Sequence, residues 1–121
     1  MSKKFINQMV RTDRKITLIG RNGQAEGQLV DLSLEQAGVI SQRGAKEGTE
    51  LELVFEIPAL DTFVTLHIKA TVSHRHNSEN SIYLKLKFDN LSYDDNKALT
   101  DFLDYKNRLL KLGQQKYSDL H

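Results

Sequence analysis

Apolar residues return at every second position through the middle of the chain, the period of strands with one buried face. Ile16 and Leu18 mark a short strand over residues 15–20. Arg21-Asn22-Gly23-Gln24 follows, and Asn-Gly is a strong hairpin signal. The returning strand covers about residues 25–32, with Val30 and Leu32 expected on the core face and Leu29, Asp31 and Ser33 on the other. Residues 37–41 read as a short apolar strand, and a polar loop punctuated by Gly44 and Gly48 comes next. Residues 49–57 alternate cleanly, Leu51, Leu53, Phe55 and Ile57 against Glu50, Glu52 and Glu56. Pro58 is expected to end that strand, because proline cannot donate to a ladder. Val64, Leu66, Ile68, Ala70 and Val72 line one face of a long strand from Thr62 to about His76. After a turn at residues 77–80, Ile82, Leu84, Leu86 and Phe88 face inward, and Tyr83, Lys85 and Lys87 face outward.

The period then changes to that of a helix. Ser92 is a candidate N-cap, and Asp94 and Asp95 fall in the first turn, where carboxylates favour the positive end of the helix dipole. Leu99, Phe102, Leu103, Leu109 and Leu110 make one apolar stripe, and Gly113 is the expected stop. Six successive strands without intervening helices cannot form a parallel sheet, and an open sheet would leave long edges exposed. The expected fold is therefore dominated by β-structure: a six-stranded antiparallel barrel with a C-terminal α-helix over one end. A flexible basic arm (residues 1–14) precedes the barrel and helix (15–112), and a frayed tail (113–121) ends the chain.

Length allows a single domain with one core. With no cysteine, disulfides and thiolate chemistry are excluded. The basic N-terminus has no apolar run behind it, so it is not expected to be a signal peptide, and no stretch is long enough to cross a bilayer. A soluble, cytoplasmic protein is the expectation, without membrane insertion. Net charge is only +1, but it is unevenly placed. Lys3, Lys4, Arg11, Arg14 and Lys15 against Asp13 give +4 in residues 1–15, while Asp89, Asp94, Asp95, Asp101 and Asp104 against Lys97 give −4 in residues 89–104. Such an arm either binds a phosphate-bearing ligand or is a solvated tail. A nucleic-acid partner is not expected, since there is no tryptophan and most phenylalanines fall on inward faces, leaving no stacking platform.

Catalytic signatures are missing: the chain has no G-x-S-x-G, phosphate-loop or H-E-x-x-H motif, and an enzyme is not expected. His74 and His76 share a strand face continuing that of Val72, and a surface hairpin end accounts for them better than a metal site. His67 falls on an exposed face. Asp31 and Ser33, expected outward together at a strand end, either offer a carboxylate and a hydroxyl to a planar polar ligand or form a local side-chain turn.

Residues 27–39, Gly27-Gln28-Leu29-Val30-Asp31-Leu32-Ser33-Leu34-Glu35-Gln36-Ala37-Gly38-Val39, resemble the signature region of PilZ domains, cyclic di-GMP receptors with the motif [D/N]-x-S-x-x-G. Residues 83–92, running into the striped helix, resemble the closing strand and C-terminal helix of that family, so the resemblance covers about residues 11–104. It implies the same six-stranded barrel, no enzymatic cofactor or metal, cyclic di-GMP as ligand, and a downstream protein partner in bacterial second-messenger signalling. Asp31 and Ser33 fall on the motif, whereas Gln36 stands at its glycine and Gly38 lies two residues later. For the family's R-x-x-x-R element, Arg11 and Lys15 have the spacing with lysine second, Arg11 and Arg14 are one residue too close, and Lys4 and Gln8 stand nearer the usual distance. The resemblance thus implies Arg11, Arg14, Asp31 and Ser33 as ligand contacts. The alternative is a degenerate PilZ-like protein–protein adaptor that does not bind the dinucleotide.

Overall fold

Strands whose inward positions are leucine, isoleucine, valine and phenylalanine bury that face only by closing on one another, and the molecule does so. The computed structural model describes residues 9–59 and 62–119, with side chains to residue 112. Six strands run in order: β1 (Val10–Gly20), β2 (Gly23–Leu32), β3 (Gln36–Ser41), β4 (Glu50–Ala59), β5 (Thr62–Asn77) and β6 (Ile82–Phe88). One helix, α1 (Tyr93–Asp119), follows. All neighbouring strands are antiparallel, in the closed order β1-β2-β3-β6-β5-β4, so no long edge is left open. The barrel core holds Leu29, Leu32, Leu53, Ile57, Leu66 and Leu86, each fully buried. Each such side chain contributes about 1.5–3 kcal/mol relative to exposure.

The hairpin signal acts one residue earlier than expected. Gly20 pairs with Gly23 across Arg21-Asn22, and Gly23 takes a φ of 137°, a region that glycine alone enters without strain. Pro58 does not end β4; it pairs with Phe63 on β5. The β1–β4 ladder reaches only from Glu52 to Phe55, so Pro58 lies where β4 has one open side, the setting in which a sheet tolerates proline.

Irregular pairing changes which side chains face inward. Between β2 and β3, Leu29 pairs with Val39 and Asp31 with Gly38, which leaves Val30 as an extra residue. A bulge of this kind resets the alternation. Leu29 and Leu32 both enter the core, Val30 is only partly buried, and the face assignment expected for Leu29 and Val30 is overturned. A second bulge at Ser73 places His74 opposite Lys85 and His76 opposite Tyr83, so the two histidines lie on the outer face and do not continue that of Val72.

β1 begins five residues earlier than expected, so residues 10–14 are strand and not part of an arm; residues 1–8 lie outside the described residues. At the other end, Ser92 caps α1 as expected, its Oγ accepting the Asp95 N–H at 3.1 Å. Leu99, Phe102 and Leu103 are buried where the helix packs against β4 and β1. Leu109 and Leu110 are not: they are 46% and 56% exposed, although each stands one heptad after a buried residue. A helix of 27 residues is about 40 Å long, and the barrel is used up after its first three turns. Gly113 does not stop α1, which continues to Asp119.

Candidate functional site

One row of directly paired residues crosses five strands. Arg11 on β1 stands opposite Asp31 on β2, Asp31 opposite Gly38 on β3, Gly38 opposite Lys85 on β6, and Lys85 opposite His74 on β5. Paired residues project to the same face. Ala37 and Val39, which flank Gly38, are fully buried, so this row faces outward. At about 4.8 Å per strand, Arg11 and Lys85 stand roughly 14 Å apart, with Asp31 and the bare backbone of Gly38 between them.

Tyr83 closes over that gap. Its hydroxyl, from β6, donates to Asp31 Oδ2 at 3.2 Å across the intervening β3. The crossing requires glycine at position 38: a Cβ there would lie 2.3 Å from the Tyr83 oxygen and 3.0 Å from Asp31 Oδ2. Burial, then the Asp31 charge and the hydrogen bond to it, push the Tyr83 hydroxyl above its ordinary value of 10.0, so it is a donor throughout the neutral range. Beside the row, Gln28 donates to Asp13, which lies between Arg11 and Arg14 in β1.

Of the four ligand contacts expected from the sequence, the fold brings two together. Arg11 is exposed and Asp31 half-buried, side by side on the outer face. Arg14 is elsewhere. The pairing of β1 with β2 shifts between Arg11 and Arg14, and Arg14 is paired with the buried Leu29. Its Nε donates to the Glu56 carbonyl at 2.6 Å, and its guanidinium stands 5.9 Å from the centroid of the Phe63 ring.

Ser33 is not on the outer face either. It is fully buried, and its Oγ accepts the N–H groups of Glu35 and Gln36, both at 3.1 Å. Its own N–H donates to the Gln36 carbonyl at 2.9 Å. This is the local side-chain turn open to Ser33 at a strand end. The expectation that Ser33 points outward beside Asp31 is thereby corrected: β2 ends at Leu32, and Ser33 lies in the turn to β3, where its hydroxyl serves the backbone N–H groups of Glu35 and Gln36. Gln36, at the motif's glycine position, has no positive φ, so this turn holds without glycine there.

The sequence did not single out Tyr83, Gly38 and Lys85 as site residues. Tyr83 and Lys85 were legible as outward positions of β6 and Gly38 as a displaced glycine, but only the β2–β3–β6 register joins them to Asp31. Among the described residues, no group of three or more histidine, aspartate or glutamate side chains could hold a metal ion. No described helix is long and apolar enough to cross a membrane.

The six-stranded barrel agrees with comparisons to known proteins. The chain is similar in structure to Bacillus subtilis inhibitor of motility (MotI/DgrA), with a TM-score of 0.71 and 18% identity over 86% of this chain and 51% of that one. It is similar to the PilZ domain of YcgR from Escherichia coli, solved with c-di-GMP, with a TM-score of 0.69 and 14% identity over 89% of this chain and 94% of that one. It is also similar to apo MrkH of K. pneumonia, with a TM-score of 0.61 and 19% identity over 84% and 52%. The chain thus spans about half the length of MotI and MrkH. No curated protein sequence matches it significantly. The family model of the PilZ domain matches residues 4–105, and the chain belongs to the PilZ domain family.

Proposed function

We propose that the outer face of β1, β2, β3 and β6 is a binding site for cyclic di-GMP and that the chain acts as a receptor or adaptor, not as an enzyme, in the bacterial cytoplasm. One observation carries this reading: Arg11 and Asp31 are direct neighbours on an exposed face, with the backbone of Gly38 beside them. An ionised carboxylate accepts from the parallel N–H donors of a guanine edge. The Arg11 fork suits a phosphate or the O6 and N7 atoms of guanine. Lys85, on the far side of Gly38, supplies a second positive charge at a distance suited to the other half of a dinucleotide. The bound ligand then alters the surface shown to a downstream protein.

Calorimetric titration with cyclic di-GMP tests the reading. Arg11→Ala and Asp31→Ala should each weaken binding by about tenfold or more. Arg14→Ala should leave it unchanged, because Arg14 is engaged with β4. A flat titration of the wild type at high micromolar ligand refutes the receptor reading. The adaptor alternative draws on a separate observation: Tyr105, Leu109, Leu110 and Leu112 are 46–56% exposed on the part of α1 that has left the barrel. An exposed apolar helix face of this kind suits a protein partner, and it would remain the working surface of a chain that binds no dinucleotide.

A further inference from the structure

Tyr83 occupies the carboxylate that the proposed ligand needs. Its hydroxyl holds Asp31 Oδ2, while Oδ1 takes no hydrogen bond among the described residues. A guanine edge presents two donors side by side and fits a carboxylate only when both oxygens are open. The ring also lies over Gly38, the one place in the row where the backbone is bare and a planar base would approach. On its β5 side Tyr83 neighbours His76, which is exposed, so solvent is available there for a displaced ring.

We infer that Tyr83 is an internal competitor for this site: its phenol holds Asp31 in the position that a guanine N–H must take, and binding requires the phenol to leave Gly38. This rests on the cyclic di-GMP reading above and adds to it the residue that sets affinity. Tyr83 makes the unliganded site self-satisfied, since a half-buried carboxylate without donors is costly. It thereby selects for ligands whose two parallel donors outbid a single hydroxyl.

The test is calorimetric titration of wild type and Tyr83→Phe with cyclic di-GMP. The substitution keeps the ring and removes only the donor. Tyr83→Phe should bind about threefold to tenfold more tightly, the equivalent of one net hydrogen bond that no longer has to be exchanged. If the wild type binds and Tyr83→Phe binds equally or more weakly, the inference is overturned and the ligand reading stands. If the wild type is flat and Tyr83→Phe binds, the inference is supported, and the receptor reading of the wild-type chain falls. If both are flat, the ligand reading falls and takes the inference with it. A second measurement follows the contacts of the Tyr83 ring by NMR. In the saturated wild-type complex the nuclear Overhauser contacts between the ring and Gly38 should be lost. Their persistence in the complex shows that the ring has not left Gly38, which also overturns the inference.

Discussion

Replacing Gly38 with alanine adds one methyl group at the point where three strands share a contact. The new Cβ would stand 2.3 Å from the Tyr83 oxygen and 2.9 Å from its Cζ. Ordinary contact begins near 3.4 Å, so the phenol has to move by about 1.1 Å, and a 3.2 Å hydrogen bond to Asp31 does not survive that shift. A hydrogen bond to a charged group contributes about 1.5–3 kcal/mol. Alanine recovers about 0.4–1 kcal/mol by restricting the unfolded chain, since Gly38 has an ordinary strand φ. The net cost is about 1–2 kcal/mol, or a loss of roughly 4–8 °C in Tm for a domain of this size. Denaturant unfolding with an unchanged slope measures it. A double-mutant cycle isolates the cause: in a Tyr83→Ala background the obstacle is gone, and Gly38→Ala should become neutral or slightly stabilising. Equal cost in both backgrounds, or no cost in the wild type, refutes the placement of the Tyr83 ring over β3.

Four further outcomes follow from burial and bonding. Phe102→Ala, at a site 3% exposed, should cost about 3–5 kcal/mol by denaturant unfolding. Leu109→Ala, seven residues on and 46% exposed, should change stability by no more than about 0.5 kcal/mol. Ser33→Ala should destabilise by about 1–3 kcal/mol, because two backbone N–H groups lose their buried acceptor; an unchanged Tm would contradict the turn geometry. Tyr83 is held protonated in the fold, so its contribution is fully present below pH 10 and is lost as pH rises through its higher folded value. Stability measured from pH 9 to 12 should fall more steeply in the wild type than in Tyr83→Phe.

Strand identity was legible because alternation is a local property. Leu51, Leu53, Phe55 and Ile57 can be buried together only on a strand, whatever it packs against. The same holds for the N-cap at Ser92, whose hydroxyl needs only the N–H three residues on. The absence of helices between strands, and the cost of open edges, carried the argument as far as a closed antiparallel barrel. Each of these features depends on interactions within a few residues or on a rule about whole sheets. Asp31 was marked as a candidate by residue type and position, and Arg11 by the resemblance to PilZ domains.

What the tertiary structure decided depends on partners far apart in the chain. The bulge at Val30 adds one residue to β2 against β3, and that extra residue brings Leu29 into the core in place of Val30. Arg11 and Arg14, three residues apart, part company because the β1–β2 register shifts between them. Tyr83 and Asp31 are 52 residues apart and meet only because β3 carries no side chain at position 38. The apolar stripe of α1 reads the same from Leu99 to Leu110, yet the barrel extends far enough to bury only its first part. Periodicity records which face of an element is apolar. Register and the size of the opposing surface determine what that face meets, and both arise from the whole chain at once.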